Sequence, residues 1–344
     1  MKDENAIDWL VDVSNRAVAL ARQMGRANHL RGWARSLRRR GAADRIRAVQ
    51  HMARLAGVSM LGADLMDVGC GMGHDAFICL SLSAGSVTGL DADRYQVEFV
   101  NRLAEVCDYG DRCRAVQGMA GAIDRAGCSA DIVLSNESLS HFIDWQSFLR
   151  ESWRVLRPGG VLIIADGNNA LNAVIRRRRR ALWHRRETGE GLVHGEQSYR
   201  SRRRELIATR FPDLSQQSLD LLAEGTFGMT SEEAYAACSH YVQSRNRGEL
   251  SFYSPGSCPV HPGTGGYAER LIDPREVERM AQTLGFRTKH YARCGNRTPF
   301  WLLNRLFAWT TSVSIYFAPA FILTAVKPPE PESKGTASRI EEGS

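Results

Sequence analysis

The chain has 344 residues, more than a single ordinary domain requires, so a core domain carrying a large insertion is expected. Hydrophobic residues make up 43% and charged residues 24%, which excludes collagen-like, disordered and disulfide-framework classes for the chain as a whole. The formal charge is +7, yet only four of the 45 basic residues are lysines, and an arginine bias of this kind is weak support for a nucleic-acid partner. The eight cysteines are scattered, and the start Met1-Lys2-Asp3-Glu4-Asn5 lacks the basic and apolar regions of a secretory leader. Free thiols in a reducing cytoplasm are expected.

Residues 1–60 read as a helical lead-in, because Ile7, Leu10, Val11, Ala17, Val18, Leu20 and Ala21 recur at spacings of three and four, and Arg-rich stretches around Trp33 and Ile46 continue the pattern. From Asp64 the rhythm changes to short apolar runs, Leu65–Val68, Val87–Leu90, Ile132–Leu134 and Val161–Ala165, separated by helix-length segments. Buried strands alternating with helices predict a parallel sheet with right-handed crossovers across a core at 61–170. Residues 171–272 read as an inserted helical cap ending in a lid loop at 251–267 that is dense in Pro and Gly. The segment 273–328 should hold the last helix and two more strands, Phe286–Ala292 and Ala320–Val326, with an apolar insertion between them; 329–344 reads as a disordered tail.

The strongest chemical signal is Asp67-Val68-Gly69-Cys70-Gly71-Met72-Gly73-His74, a strand running into a glycine-rich turn and then a helix. Glycines at 69, 71 and 73 let the backbone turn tightly and approach a ligand, while the helix N-terminus offers free N–H donors. The spacing is not the G-x-G-x-x-G of a dinucleotide fold, and no Gly-Lys-Ser/Thr follows as in a P-loop.

The sequence resembles class I S-adenosylmethionine-dependent methyltransferases, of the methyltransferase type 11-like group. The resemblance rests on the glycine turn and on four further segments in order: Val87-Thr88-Gly89-Leu90-Asp91, Ala130-Asp131-Ile132-Val133-Leu134-Ser135-Asn136-Glu137, Leu139-Ser140-His141-Phe142, and Arg154-Val155-Leu156-Arg157-Pro158-Gly159-Gly160. It implies a doubly wound, seven-stranded Rossmann-like α/β sheet with N-terminal helices and the inserted cap, and S-adenosyl-L-methionine as cofactor. It further implies that Gly69, Gly71 and Gly73 cradle the methionine part of the cofactor with Asp67 near its amino group, and that Asp91 holds the ribose. Ala92, Met119, Ala120 and Ser135 complete the implied cofactor set. Met119 stands where the family often has an acidic residue for the adenine amine, so adenine recognition should rest on packing and backbone contacts.

Methyl transfer depends mainly on aligning donor and acceptor, with removal of a proton when the acceptor is a hydroxyl. His141, Glu137, Asp166 and His261 are the candidates for that second task; Glu137 and Asp166 end strands where ligands sit in open α/β sheets, and His261 lies in the lid loop. Structural readings compete with each: a core histidine, turn residues, a capping loop residue. Cys238/His240 and Cys258/His261 lack the usual paired zinc spacing, so no metal is expected. The arginines at 176–180, 185, 186, 200 and 202–204 read first as a solvated helical face, with recognition of an anionic substrate as the alternative. Leu306–Val326 contains no charge, but Pro319 and the hydroxyl residues at 310, 311, 312 and 314 argue against a bilayer span; Phe300–Phe317 reads as an apolar helix between the last two strands. The expected acceptor is a small molecule, saccharide or lipid-linked compound, with nucleic acid unlikely and peripheral membrane contact possible at a basic, apolar edge. An RNA methyltransferase, or a non-catalytic scaffold that binds the cofactor, are the rival readings.

Overall fold

A computed structural model describes residues 3–25, 38–192, 197–295, 300, 303–304, 306–307 and 310–329. Two helices lead in, α1 (Asp3–Gln23) and α2 (Arg39–Ala56). They match the helical periodicity read over 6–60, while the stretch around Trp33 and the tail beyond residue 329 lie outside the described residues. The core then alternates β1 (Asp64–Val68), α3 (His74–Ser81), β2 (Ser86–Asp91), α4 (Arg94–Val106), β3 (Cys113–Gln117), β4 (Ala130–Asn136), α5 (Trp145–Val155) and β5 (Leu156–Asp166). After β5 come four helices, α6 (Ala173–Thr188), α7 (Tyr199–Arg210), α8 (Gln216–Gly225) and α9 (Ser231–Ser244), then α10 (Pro274–Thr283), β6 (Arg287–Arg293), the single turn α11 (Thr311–Ser314) and β7 (Ala320–Val326).

The seven strands form one sheet in the order β3-β2-β1-β4-β5-β7-β6. Strands β1 to β5 run parallel and β7 lies antiparallel between β5 and β6, with Val161 opposite Val326 and Arg293 opposite Ala320. The sheet is covered on both faces, as parallel strands require. Side chains alternate across it: Leu65, Ile132, Ile163 and Ile322 face a core shared with α1, α2, α3 and α4, whereas Met66, Val133, Ile164 and Leu323 face the core of α5 and α10. The strand order reverses between β1 and β4, which puts a crevice at their carboxyl ends, the general ligand site of open α/β sheets.

The cap is a helical layer with small cores of its own, Ile207, Leu219, Leu222, Cys238 and Tyr241 in one and Trp183, Tyr199 and Ala268 in another. Its centre is an ion pair between Arg203 of α7 and Glu187 of α6, both fully buried, with Arg203 also donating to the Ala223 carbonyl of α8. The arginine-rich segment is therefore not one solvated face. Arg176 donates to the carbonyls of Ala170 and Leu171, Arg179 pairs with Glu269, Arg200 with Glu224 and Arg204 with Asp220, while Arg177, Arg178 and Arg180 stay exposed. Charge density is visible along one helix, but the partners come from neighbouring helices and loops.

The last insertion departs from a continuous helix over Phe300–Phe317. Among the described residues it is short helical pieces and turns, closed by Asn169 donating to the carbonyls of Ile315 and Ala318 and Asn172 to that of Phe317. Trp301, Leu302, Arg305 and Trp309 lie outside the described residues, and no described helix is long and apolar enough to cross a membrane.

Candidate active site

The glycine turn leaves β1 with positive φ at Gly69, Gly71 and Gly73 (76°, 54° and 79°). At Gly69 a side chain is excluded twice over, because an added Cβ would also lie 2.4 Å from the Ser138 Cβ that follows β4. Ser138 is held by its hydroxyl on the Val68 carbonyl at 2.9 Å and by Ser135 at 2.8 Å. Asp91, at the end of β2, accepts the Gly71 N–H at 2.8 Å and the Asp93 N–H at 2.9 Å, which ties the turn to the neighbouring strand. Burial raises its carboxyl above the ordinary aspartate range, against the pull of those two donors.

These groups open onto a cavity of about 640 Å³, within the range of small-molecule sites. Its floor carries Gly69, Gly71, Asp91, Ala92, Met119, Ala120 and Glu137; its roof carries Leu182 and Arg186 of α6, Tyr199 of α7, and His261, Thr264 and Tyr267 of the lid. The lid is fastened to the turn after β4: Tyr267 N–H donates to the His141 carbonyl at 3.0 Å, and Arg270 N–H to that of Ser140 at 2.9 Å.

His141 lines this cavity, and its Nδ1 lies 2.8 Å from the Tyr267 carbonyl. A carbonyl only accepts, so Nδ1 carries a proton, and in the neutral ring the lone pair of a base is on Nε2. Glu137 also lines the cavity, in a left-handed conformation (φ 57°), with one oxygen accepting Gly167 N–H at 2.9 Å and the other Arg293 at 3.2 Å. Burial raises its carboxyl, and Arg293 pulls it back.

Other sequence candidates lie elsewhere. Asp166 is fully buried, accepts N–H bonds from Ser140 and Asn168, and does not line the cavity; it braces the turn that carries His141. His261 lines the cavity, but Nδ1 accepts from Gly263 and Thr264 and Nε2 faces the Arg202 guanidinium at 3.1 Å. Burial and the nearby Arg202 and Arg186 hold its pKa down, so it is a neutral clip for the lid rather than an open base. Ser135 and Gly73 are buried behind the cavity; the first supports Ser138, the second starts α3 with Val100 3.0 Å from where a Cβ would be. Asp67 is buried on the face opposite Val68, with Oδ2 lacking a hydrogen-bond partner in the structure, and desolvation, then Asp75 and Asp91, hold its carboxyl well above the usual range. Cys258 donates to Ala268 with a thiol pushed up to about 12 by burial, and no group of three or more metal-ligating side chains occurs among the described residues.

Residues 66–164 match the family model described as a methyltransferase domain. Among curated proteins, the chain is 37% identical over 115 residues to the 27-O-demethylrifamycin SV methyltransferase of Amycolatopsis mediterranei, covering 33% of this chain and 42% of that protein. It is 34% identical over 100 residues to the sterol 24-C-methyltransferase of Yarrowia lipolytica, covering 29% and 26%. Over 127 residues it is 32% identical to the 2-methyl-6-phytyl-1,4-hydroquinone methyltransferase of Synechocystis, covering 36% and 39%. The core at residues 66–164 is a class I S-adenosylmethionine-dependent methyltransferase domain. The chain spans less than half the length of each of these relatives, and the family model stops before the cap. A solved geranyl diphosphate methyltransferase is 16% identical, with a TM-score of 0.46 over 86% of this chain and 82% of that one.

The methyltransferase domain fits S-adenosylmethionine on its own geometry. The Gly69 position admits no side chain, Asp91 lines the cavity beside the turn, and Asp67 holds an unpartnered carboxylate oxygen behind it. Met119 lines the cavity and is half exposed, as a packing surface for adenine would be.

Proposed function

We propose that the protein transfers the methyl group of S-adenosylmethionine to a small or lipid-linked acceptor enclosed between the sheet edge and the cap, with His141 taking the acceptor's proton. The observation that carries this reading is that one cavity joins the glycine turn and Asp91 to His141 under a roof of α6, α7 and the lid. The cofactor supplies an electrophilic methyl on a sulfonium when bound. Asp91 holds the ribose hydroxyls, the turn N–H groups face the methionine part, and the fastened lid holds the acceptor against the sheet edge. The Tyr267 carbonyl fixes the His141 tautomer, so closing the lid is also what leaves Nε2 ready to accept a proton. Glu137, held by Arg293 and Gly167, is the second acidic group within reach of an acceptor.

A roofed cleft of this size suits a small acceptor better than RNA. A lipid-linked acceptor and contact with a membrane surface are supported by exposed apolar side chains on the late insertion, Leu306 at 63% and Phe317 at 70%, beside Tyr316, which Arg275 contacts at 2.7 Å. The test is incubation with labelled cofactor and host extract. A labelled small or lipid product is expected from wild type and not from His141→Ala, whereas label in RNA would replace this acceptor class.

A further inference from the structure

We propose that the cap end of the cavity is an oxyanion site built on Arg186, so that the acceptor carries a carboxylate or phosphate group, and this inference rests on the methyltransferase reading above. Arg186 lies one helical turn beyond Leu182 on α6, so both side chains share the face that lines the cavity. Arg179, a further turn back, spends its charge on Glu269. Among the described residues Arg186 has neither an ion pair nor a hydrogen bond, although it is only partly exposed.

Its isolation is built into the surroundings. The adjacent Glu187 points the other way, with both oxygens on the buried Arg203. The carboxylates that line the cavity are likewise committed: Glu137 to Arg293 and Gly167, Asp91 to the glycine turn, Asp93 and Asp144 to the N-termini of α4 and α5. Glu190 faces His184. A guanidinium that lines a cavity and has no carboxylate partner among the described residues leaves room there for a negative charge, and its planar fork matches two oxygens of one anion. Tyr199 and Thr264 place hydroxyl-bearing residues in the same end of the cavity, and the charge of Arg186 already opposes the upward shift that burial imposes on Tyr199. The apolar lining of the same cavity, Phe142, Ile143 and Leu182, fits the uncharged body of such an acceptor.

The experiment titrates inorganic phosphate and, separately, butyrate into the full chain saturated with S-adenosylhomocysteine, by calorimetry at low ionic strength. At least one anion should bind saturably to wild type, about tenfold or more weakly to Arg186→Met, and with intermediate affinity to Arg186→Lys, which keeps the charge but loses the fork. The exposed Arg178→Met should bind like wild type. Preference for phosphate or for butyrate identifies the group on the acceptor. If Arg186→Met loses the cooperative melting of wild type, Arg186→Gln serves in its place. Absence of saturable binding of either anion to wild type, or binding that survives removal of the Arg186 charge, overturns the proposal. Anion binding by a protein with no affinity for S-adenosylhomocysteine would instead remove the cofactor reading and leave the oxyanion site standing.

Discussion

Asp91→Asn separates the two tasks assigned to one carboxylate. Its oxygens accept backbone N–H groups from Gly71 at 2.8 Å and Asp93 at 2.9 Å. An amide keeps one accepting oxygen and turns its NH₂ toward the other donor, so one bond must go. A hydrogen bond to a charged group contributes about 1.5–3 kcal/mol, and access to water from the cavity puts the loss at the low end. Removing a desolvated charge offsets part of it, so the melting point should move by only a few degrees, about 1 kcal/mol of stability. Binding should suffer more: ribose hydroxyls that lose a charged acceptor cost about 1–3 kcal/mol, or roughly 5-fold to 100-fold in Kd. The pH dependence has opposite signs for the two properties. Because burial raises the folded carboxyl above its unfolded value, the folded state holds more protons in the window between them, and stability from this group rises as pH falls through that window. Affinity for the cofactor falls over the same window, since the proton occupies the oxygen that the ribose needs. Calorimetry with S-adenosylhomocysteine, repeated from neutral to acid pH, reads both effects. Unchanged affinity in Asp91→Asn, or a wild-type affinity that is flat until the ordinary aspartate range, would refute the assignment of the ribose to Asp91.

Gly69→Ala should cost about 2 kcal/mol or more and abolish cofactor binding, through positive φ and the clash at Ser138, with Ser138→Gly restoring part of the stability in a chemical denaturation series. Glu187→Ala should destabilise the protein by about 3–5 kcal/mol by stranding Arg203, whereas Glu187→Leu combined with Arg203→Met should recover most of it; similar melting of both variants would show that the pair is dispensable. His141→Ala should lower kcat by about 10²-fold to 10⁴-fold with cofactor affinity unchanged, and a smaller fall in kcat would move the base to Glu137. Binding to vesicles of anionic lipid should be measurable, weakened by salt, and lost in Phe317→Glu; a co-sedimentation assay in which the two proteins behave alike would return this surface to ordinary solvent contact.

The glycine turn proposed for the cofactor was legible because it is local. Gly69, Gly71 and Gly73 are specified by consecutive backbone geometry, and a strand ending in a glycine turn can be seen in ten residues. β7 was equally plain, since Ala320–Val326 is an almost wholly buried run between two other strands. β3 was not, because Cys113–Gln117 is a short edge strand that alternates buried and exposed residues and carries Arg114 on its open face. The burial of Asp67 follows from the alternation that sends Met66 and Val68 toward one core and Leu65 and Asp67 toward the other.

On the acceptor side the sequence offers His141, Glu137 and His261 but does not say how they are arranged. Each of its parts is ordinary in its own segment: a histidine after an apolar strand, an arginine inside an arginine run, a tyrosine in a loop. What brings them together is pairing across a long separation, His141 with Tyr267 over 126 residues. The run at 176–186 shows the limit most clearly. Composition counts its arginines as equivalent, yet Arg179 is neutralised by Glu269, Arg178 faces solvent and Arg186 lines the roof of the cavity without a described partner. The proposed distinction lies in which charge the fold leaves unanswered, and that follows from the surrounding carboxylates, on α6, at strand ends and beside the lid, being committed elsewhere, a property no window of sequence contains.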